Sequence, residues 1–280
     1  MMITATTRAD AAKIVDFDEQ VFDLDAAYNE WVQTEPQDNR QGVFHPSQAD
    51  GCARHSVYEY IGTPRIYPTA ITKDVNPVQD RDTFRVGHAV HHFTQTIIGD
   101  LKRILTPKGL EFKFEAEVPY DPESDVLYLD FGIGGTTDGI LEVWHPILGW
   151  RQRSIIEVKT SKTEKFDELK GPKDGHQMQA NLYAFRFDAP IIYYWYFNKN
   201  NSQRKVYRRK AEDKWLEEAL NRFEAMGTHV ANGTLPDRDE SWYICPRCEY
   251  SHTCKPEVLV KINNRAAINK VMQKGGFGKR

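Results

Sequence analysis

The sequence predicts an α/β fold with a central mixed β-sheet flanked by helices. Alternating apolar and polar residues, typical of β-strands, occupy much of residues 111–160. Segments with the apolar spacing of amphipathic helices lie before and after them. A strongly β-prone run at 191–197 follows one of these helices. The order helix, strands, helix, strand favours helices packed against a mixed sheet.

The composition is that of a folded protein with unevenly distributed charge. The 280 residues are 40% hydrophobic and 12% aromatic, enough to bury a core. No apolar run approaches the roughly 18 residues of a membrane span, and the N-terminus lacks a signal-peptide pattern. We therefore expect a cytoplasmic protein without a membrane partner, located in the host cytoplasm if the protein is viral. The net charge is −3, but the first 40 residues hold nine acidic and three basic side chains. The remainder is therefore net basic, which is compatible with DNA binding.

The predicted elements follow in order along the chain. Capping residues and apolar periodicity predict the helices, and alternation predicts the strands. Helices are predicted over residues 47–60, 83–105, 176–185 and 213–232. Strands are predicted over residues 111–120, 126–131, 135–144, 151–160, 191–197 and 205–209, the first four as an antiparallel meander.

The last two strands of this meander carry charge where a core strand is apolar. Glu157 and Lys159 share a face because alternate residues of a strand point to the same side. An antiparallel hairpin can bring Asp138 opposite Glu157. This arrangement is typical of a nuclease that holds a divalent metal against phosphate. The alternatives without catalysis are an ordinary turn residue at Asp138 and a surface ion pair of Glu157 with Lys159. The apolar neighbours of Glu157 instead favour a buried strand, in which an acidic side chain needs a partner.

Three histidines lie close together in the predicted helix over 83–105. His88 is three residues from His91 and four from His92, so it shares a face with each. This helix precedes the charged hairpin and can deliver one imidazole to a metal. The alternative is that the histidines are solvated or lie at the edge of the core. In the later helix Gln179 and Tyr183 share a face, which alone is typical of an ordinary helix.

The four cysteines form one pattern, with Cys52 alone and a C-terminal group of Cys245-x2-Cys248-x5-Cys254. Close-spaced cysteines in a reducing compartment are more often metal ligands than disulfides. Four thiolates complete a zinc site or an iron-sulfur cluster. Zinc is the commoner metal for four cysteines, although one distant and three close cysteines match neither the usual zinc spacing nor the usual iron-sulfur spacing. Either group joins the N-terminal half to the end of the chain.

Six short motifs occur in the order Cys52, Gly87-x3-His91, Gly135-x2-Asp138, Glu157-x-Lys159, Gln179-x3-Tyr183 and the C-terminal cysteines. In this order they resemble the RecB-like nucleases of the PD-(D/E)XK superfamily. The resemblance is closest to the branch with an iron-sulfur cluster, which includes the CRISPR-associated exonucleases and the AddB nuclease domain. Two features depart from the pattern of this family. Ala53 stands where the family usually has a proline after the first cysteine, and the acidic N-terminal segment and the basic C-terminal tail have no counterpart in it.

The resemblance implies a restriction-endonuclease-like core with a cysteine-clamped cluster region. The implied organisation is an acidic extension at 1–45, a nuclease domain at 46–255, and a basic tail at 256–280. The cysteines would carry a [4Fe-4S] cluster, with zinc as the alternative, through Cys52, Cys245, Cys248 and Cys254.

The resemblance also implies the residues of the active site. The implied ligands of Mg²⁺ or Mn²⁺ are His91, Asp138, Glu157 and the carbonyl of Val158. The implied catalytic residues are Asp138, Glu157, Lys159, Gln179 and Tyr183. Lys159 would orient or deprotonate the attacking water, while Gln179 and Tyr183 would position Lys159 or the DNA backbone.

The resemblance therefore predicts a metal-dependent DNA nuclease that acts as an exonuclease on single-stranded ends in recombination, repair or replication. A helicase or recombination protein is the expected partner. One alternative is a DNA-end-binding or adaptor protein that is active only within a larger complex. Another is a zinc-stapled structural protein without a nucleic-acid role.

Overall fold

The computed structural model describes residues 24, 27–28, 30–31, 40–66, 77–238, 245 and 248–254. The chain divides into two compact units, Met1–Asp38 and Asn39–Arg280. In the first unit the described residues are helical, and the rings of Tyr28 and Trp31 lie 5.9 Å apart. The predicted basic tail at 256–280 lies outside the described residues.

The second unit is organised around a five-stranded sheet in the order β1-β2-β3-β4-β5. Its strands are β1 (Glu111–Pro119), β2 (Thr136–His145), β3 (Trp150–Ser161), β4 (Ile191–Asn198) and β5 (Arg204–Lys210). Neighbouring strands are antiparallel except β3 and β4, which are parallel. A parallel pair needs a crossover, and helical chain connects these two strands. The predicted α/β fold with a mixed sheet is confirmed.

Helices lie on both sides of this sheet. The described residues of this unit form the helices α1 (Ala53–Tyr60), α2 (Pro77–Asp100), α3 (Lys102–Leu105), α4 (Val126–Phe131), α5 (Thr163–Asp167), α6 (Asp174–Arg186), α7 (Asp213–Ala231) and α8 (Ser251–Cys254). Within the described ranges, no helix has the length and apolar character to cross a membrane.

Two helix predictions need new boundaries, and one strand prediction is wrong. The first helix begins at Ala53, after a 3-10 turn over Pro46–Gln48, and α2 begins at Pro77 rather than near residue 83. Residues 126–131 form α4 instead of a strand. Asp125 caps this helix, since its Oδ1 accepts a hydrogen bond of 2.9 Å from the Leu127 N–H. A short apolar run does not distinguish a strand from a buried helix.

The two faces of β3 bury different clusters. Ile155 belongs to the main core, which also contains buried residues of α6 and α7. Ile156 and Val158 point to the opposite face and pack with Ile98 of α2. Burying an aliphatic side chain of this size contributes about 1.5–3 kcal/mol, so both faces hold the strand in register. Glu157 shares the face of Ile155 and is therefore fixed inside the protein.

Candidate active site

The β2–β3 hairpin brings the predicted acidic residues to one level of the sheet. Gly139 pairs with Ile156, so the preceding Asp138 lies level with Glu157. Gly139 of β2 also leaves room for the ring of Phe114 on the neighbouring strand β1, since a Cβ at Gly139 would lie 2.5 Å from Cε2 of Phe114. The Val158 N–H donates a 2.7 Å hydrogen bond to Oδ2 of Asp138. This bond fixes the orientation of the Asp138 carboxylate.

Helix α2 places His91 against the same carboxylate. Its Nδ1 lies 3.1 Å from Oδ1 of Asp138. Burial by itself would lower the pKa of His91, but the hydrogen bond and negative charge of Asp138 outweigh it and raise the pKa. The side chains of His88 and His92 do not take part in this contact. Of the three predicted candidates, the structure thus brings His91 to the acidic strands.

Glu157 and Lys159 form an ion pair beside Asp138. Lys159 Nζ lies 2.6 Å from Oε1 of Glu157, whose side chain is completely buried. Burial is the main cause that raises the pKa of Glu157, to about 7. Burial would lower the pKa of Lys159, but the charges of Glu157 and Asp138 raise it. Lys159 is therefore a cation at neutral pH.

Helix α6 supports the site through its two predicted polar residues in different ways. Gln179 Oε1 accepts a 2.9 Å hydrogen bond from Lys159 Nζ. The Tyr183 hydroxyl donates a 2.9 Å hydrogen bond to the Thr136 carbonyl, two residues before Asp138. Gln179 thus holds the lysine directly, whereas Tyr183 holds the start of β2.

His176 lies nearby on α6 and contributes no positive charge. Its Nδ1 lies 2.7 Å from the hydroxyl of Tyr196 on β4, which also accepts a hydrogen bond from the Lys173 N–H. Burial and the neighbouring charges of Lys159 and Lys173 lower the pKa of His176 to about 3. The imidazole is therefore neutral under ordinary conditions.

Sequence reasoning missed two acidic residues of this region. Glu117 of β1 has a carboxylate oxygen within 4.8 Å of donor atoms of His91 and Asp138. Asp50 lies against Gly175 at the start of α6, where an added side chain would collide with its carboxylate. Asp50 is also among the carboxylates that raise the pKa of Lys159 against the effect of burial. Both depend on contacts between distant elements, so spacing along the chain gave no signal.

The donor atoms around Asp138 fit a hard divalent cation. His91, Glu117 and Asp138 form one compact group, and the buried Glu157 adds a carboxylate beside it. Apart from the Lys159 ammonium, no group in the described part of the chain donates to the Glu157 oxygens. A bound cation would give this buried carboxylate a further partner. Oxygen donors suit Mg²⁺ and Mn²⁺, and an imidazole favours Mn²⁺.

The cysteines lie in a second region, where α1 meets the C-terminal segment. Cys52 is the N-cap residue of α1, and Cys254 ends α8. Burial, with the neighbouring charges of Glu249, Cys52 and Cys245, raises the pKa of Cys248 to about 12. The thiols of Cys52 and Cys245 are thus near enough to Cys248 to raise its pKa.

Contacts around the cysteines hold the C-terminal segment onto the body of the protein. Tyr250 is buried, and its hydroxyl accepts a 3.0 Å hydrogen bond from Nε of Arg65. The Ile66 N–H donates to the Glu249 carbonyl at 3.0 Å. His55 Nε2 lies 3.2 Å from Oε1 of Glu249, and these two residues form a compact donor group with Cys248. His55 and Glu249 were not predicted as functional residues.

Comparisons with known proteins identify one family. A family model described as the PD-(D/E)XK nuclease superfamily matches residues 71–255, about two thirds of the chain. The match includes all the predicted site residues except Cys52. None of the curated proteins compared with the chain matches it.

Similar solved structures are distant from this chain in sequence. The crystal structure of SSO0001 is 16% identical with a TM-score of 0.49, over 84% of this chain and 98% of that one. The alkaline exonuclease LHK-Exo from Laribacter hongkongensis is 14% identical with a TM-score of 0.41, over 73% of this chain and 93% of that one. LHK-Exo in complex with dAMP has the same identity and coverage and a TM-score of 0.43.

Proposed function

The chain belongs to the PD-(D/E)XK nuclease superfamily and is therefore a metal-dependent nuclease. We propose that it is an exonuclease that degrades DNA from single-stranded ends. The prediction of a phosphodiester-hydrolysing enzyme is confirmed by the family. The observation that most supports the proposal is that Asp138 lies level with Glu157 at the end of the β2–β3 ladder, with Lys159 paired to Glu157. The strand geometry gives two carboxylates and one ammonium a common site.

We assign the metal to His91, Asp138, Glu157 and the carbonyl of Val158. These residues would hold a Mg²⁺ or Mn²⁺ ion, which would lower the pKa of an attacking water and neutralise negative charge on the phosphate. The carboxylates are held for this task before any substrate arrives, since Asp138 is bonded to the strand backbone and Glu157 is locked in the core. Such preorganisation costs no rearrangement during the reaction.

Lys159 is the proposed residue that acts on the reacting groups. Its ammonium lies between the Glu157 carboxylate and the Gln179 amide oxygen, which together restrict its position. Because its pKa is raised, it carries a positive charge near neutral pH. It can therefore hydrogen-bond the attacking water or stabilise negative charge on the phosphate. Gln179 acts as a positioning residue.

The edge strand β5 supports a nucleic-acid substrate. Its seven residues include five basic side chains. Lys205 donates hydrogen bonds to backbone carbonyls, including that of Phe166 at 2.7 Å, but the side chains of Arg204 and Arg208 are exposed. Exposed guanidinium groups are suited to phosphate contacts, which hold the backbone without reading sequence.

The four cysteines are proposed to carry a [4Fe-4S] cluster. The choice of a cluster over zinc rests on the order of the cysteine and nuclease motifs, which resembles that of the iron-sulfur branch. Burial and neighbouring negative charge raise the pKa of the Cys248 thiol, so binding of the cluster is coupled to loss of its proton.

The proposed substrate is tested with end-blocked DNA. Linear single strands with a free 5′ end, a free 3′ end or neither are incubated with Mn²⁺ or Mg²⁺, beside blunt duplexes and circular single strands. We expect degradation of linear strands with one free end and survival of the circles. Cleavage of circles at the same rate would contradict exonuclease action, and equal degradation of blunt duplexes would contradict the preference for single strands.

The proposed cellular role is recombination, repair or replication, in which a single-strand exonuclease acts on exposed ends. A helicase is the proposed partner, since it would supply the substrate by separating the strands. Co-purification of the full chain with a strand-separating ATPase would support this role. Undiminished degradation of long duplexes by the isolated protein would count against any need for such a partner.

A further inference from the structure

We propose that Glu117 of β1 is an additional ligand of the divalent metal, held in place by Gln95 of α2. The inference rests on the proposed metal-dependent nuclease function and extends its ligand set. The four residues that the family resemblance supplies do not include Glu117. In the structure, however, a Glu117 oxygen lies within 4.8 Å of donor atoms of His91 and Asp138.

Glu117 stands opposite Asp138 at a gap in the sheet. The β1–β2 ladder pairs Ala116 with Gly139 and Val118 with Thr137, but it does not pair Glu117 with Asp138. Glu117 has a φ of 51°, in the left-handed region that non-glycine residues seldom adopt. This local departure from strand geometry coincides with the point where the acidic side chains gather.

Gln95 spans the same gap from the helix. Its side chain is buried, and its Nε2 donates hydrogen bonds to Oε1 of Glu117 and, at 2.9 Å, to the Asp138 carbonyl. Gln95 is four residues after His91, so the two side chains leave the same face of α2. A neutral amide can fix the Glu117 carboxylate without neutralising its charge. Gln95 is therefore a positioning residue.

The charges at this point call for a cation. Asp138 lies within 4.8 Å of Glu117, and the completely buried Glu157 lies level with Asp138 at the end of the β2–β3 ladder. Apart from Lys159, no described group donates to the Glu157 oxygens. Three carboxylates with one ammonium and one imidazole suit a divalent ion of Mg²⁺ or Mn²⁺ character.

The test measures Mn²⁺ binding rather than cleavage. Chelator-treated full-length protein is titrated with MnCl₂ by calorimetry, and free Mn²⁺ is followed by electron paramagnetic resonance. Glu117→Gln should weaken Mn²⁺ binding at least tenfold, since loss of a group that merely supports a ligand already costs about 10- to 100-fold. Glu115→Gln, which removes the same charge from an exposed position two residues away on β1, should change the affinity by less than about twofold.

A second variant separates loss of the ligand from a change in folding. Glu117→Gly suits the left-handed backbone, so its melting temperature should equal or exceed that of the wild type while Mn²⁺ binding falls as in Glu117→Gln. Wild-type affinity in both variants would overturn the proposal, even if the wild-type protein degrades DNA. Conversely, a Glu117-dependent Mn²⁺ site in a protein that degrades no DNA would leave the ligand in place and overturn the proposed function.

Discussion

Replacing Glu157 with glutamine should change the stability of the metal-free protein more favourably at pH 8 than at pH 5. Folding buries this carboxyl and raises its pKa from about 4.5 to about 7. An acid whose pKa is raised by folding is more protonated in the folded state, so stability falls as the pH rises between the two pKa values. The cost is absent well below pH 4.5 and complete above pH 7. A glutamine has no such dependence.

The size of this effect follows from the two pKa values. One pKa unit corresponds to about 1.36 kcal/mol, so the buried charge costs about 3 kcal/mol at pH 8 and less than about 1 kcal/mol at pH 5. The pH-dependent part is therefore about 2–3 kcal/mol. In a folded unit of this length, about 1 kcal/mol shifts the melting temperature by about 2–4 °C. The gain in melting temperature on replacing Glu157 should thus be about 5–10 °C larger at pH 8.

Thermal melts in EDTA at both pH values provide the assay. The matched control is Glu224→Gln, which removes a carboxylate from an exposed position of α7. The melting temperature of this control should differ from that of the wild type by the same small amount at both pH values. An equal shift for Glu157→Gln at pH 5 and pH 8 would refute the reasoning, because it would mean that burial of the charge carries no cost. Added Mn²⁺ should stabilise the wild type at pH 8 more than the variant.

Two further predictions concern the cluster and the hairpin. Cys248→Ser should remove the brown visible absorbance and the iron of the anaerobically purified protein; an unchanged spectrum, or zinc in place of iron in the wild type, would contradict the cluster assignment. Gly139→Ala should destabilise the protein by about 1–3 kcal/mol in chemical unfolding, because the new Cβ meets the Phe114 ring. Gly227 lies in the interior of α7, and a Cβ added there would meet no atom within 4 Å. Gly227→Ala should therefore stabilise the protein by about 0.5–1 kcal/mol. Equal effects of the two alanines would contradict the close approach at Gly139.

The sequence was most informative where function depends on neighbours along one strand or one helix. Strand alternation placed Glu157 and Lys159 on the same face, and the hairpin brought Asp138 level with Glu157. Helical spacing grouped Gln179 with Tyr183, although it did not show that they bind different partners.

Features that depend on distant elements were not predictable in this way. Glu117 is a strand residue like its neighbours in the sequence, and only the fold shows its left-handed backbone and its approach to His91. Asp50 reaches Gly175 from a loop far earlier in the chain. The short apolar run at 126–131 does not by itself distinguish a strand from a helix. The hydrogen bond from the Leu127 N–H to the Asp125 side chain caps a helix there.

The most direct test of the account is the rate at which Lys159→Met degrades single-stranded linear DNA in Mn²⁺. The matched control is Lys165→Met, since Lys165 is an exposed lysine of α5 paired with Glu168. We expect Lys159→Met to lose about 10²- to 10⁴-fold in rate while its fold is retained, and the control and wild type to remain active until EDTA is added. Degradation by Lys159→Met at the wild-type rate, or wild-type activity that persists in EDTA, would contradict a metal-dependent active site at Asp138, Glu157 and Lys159.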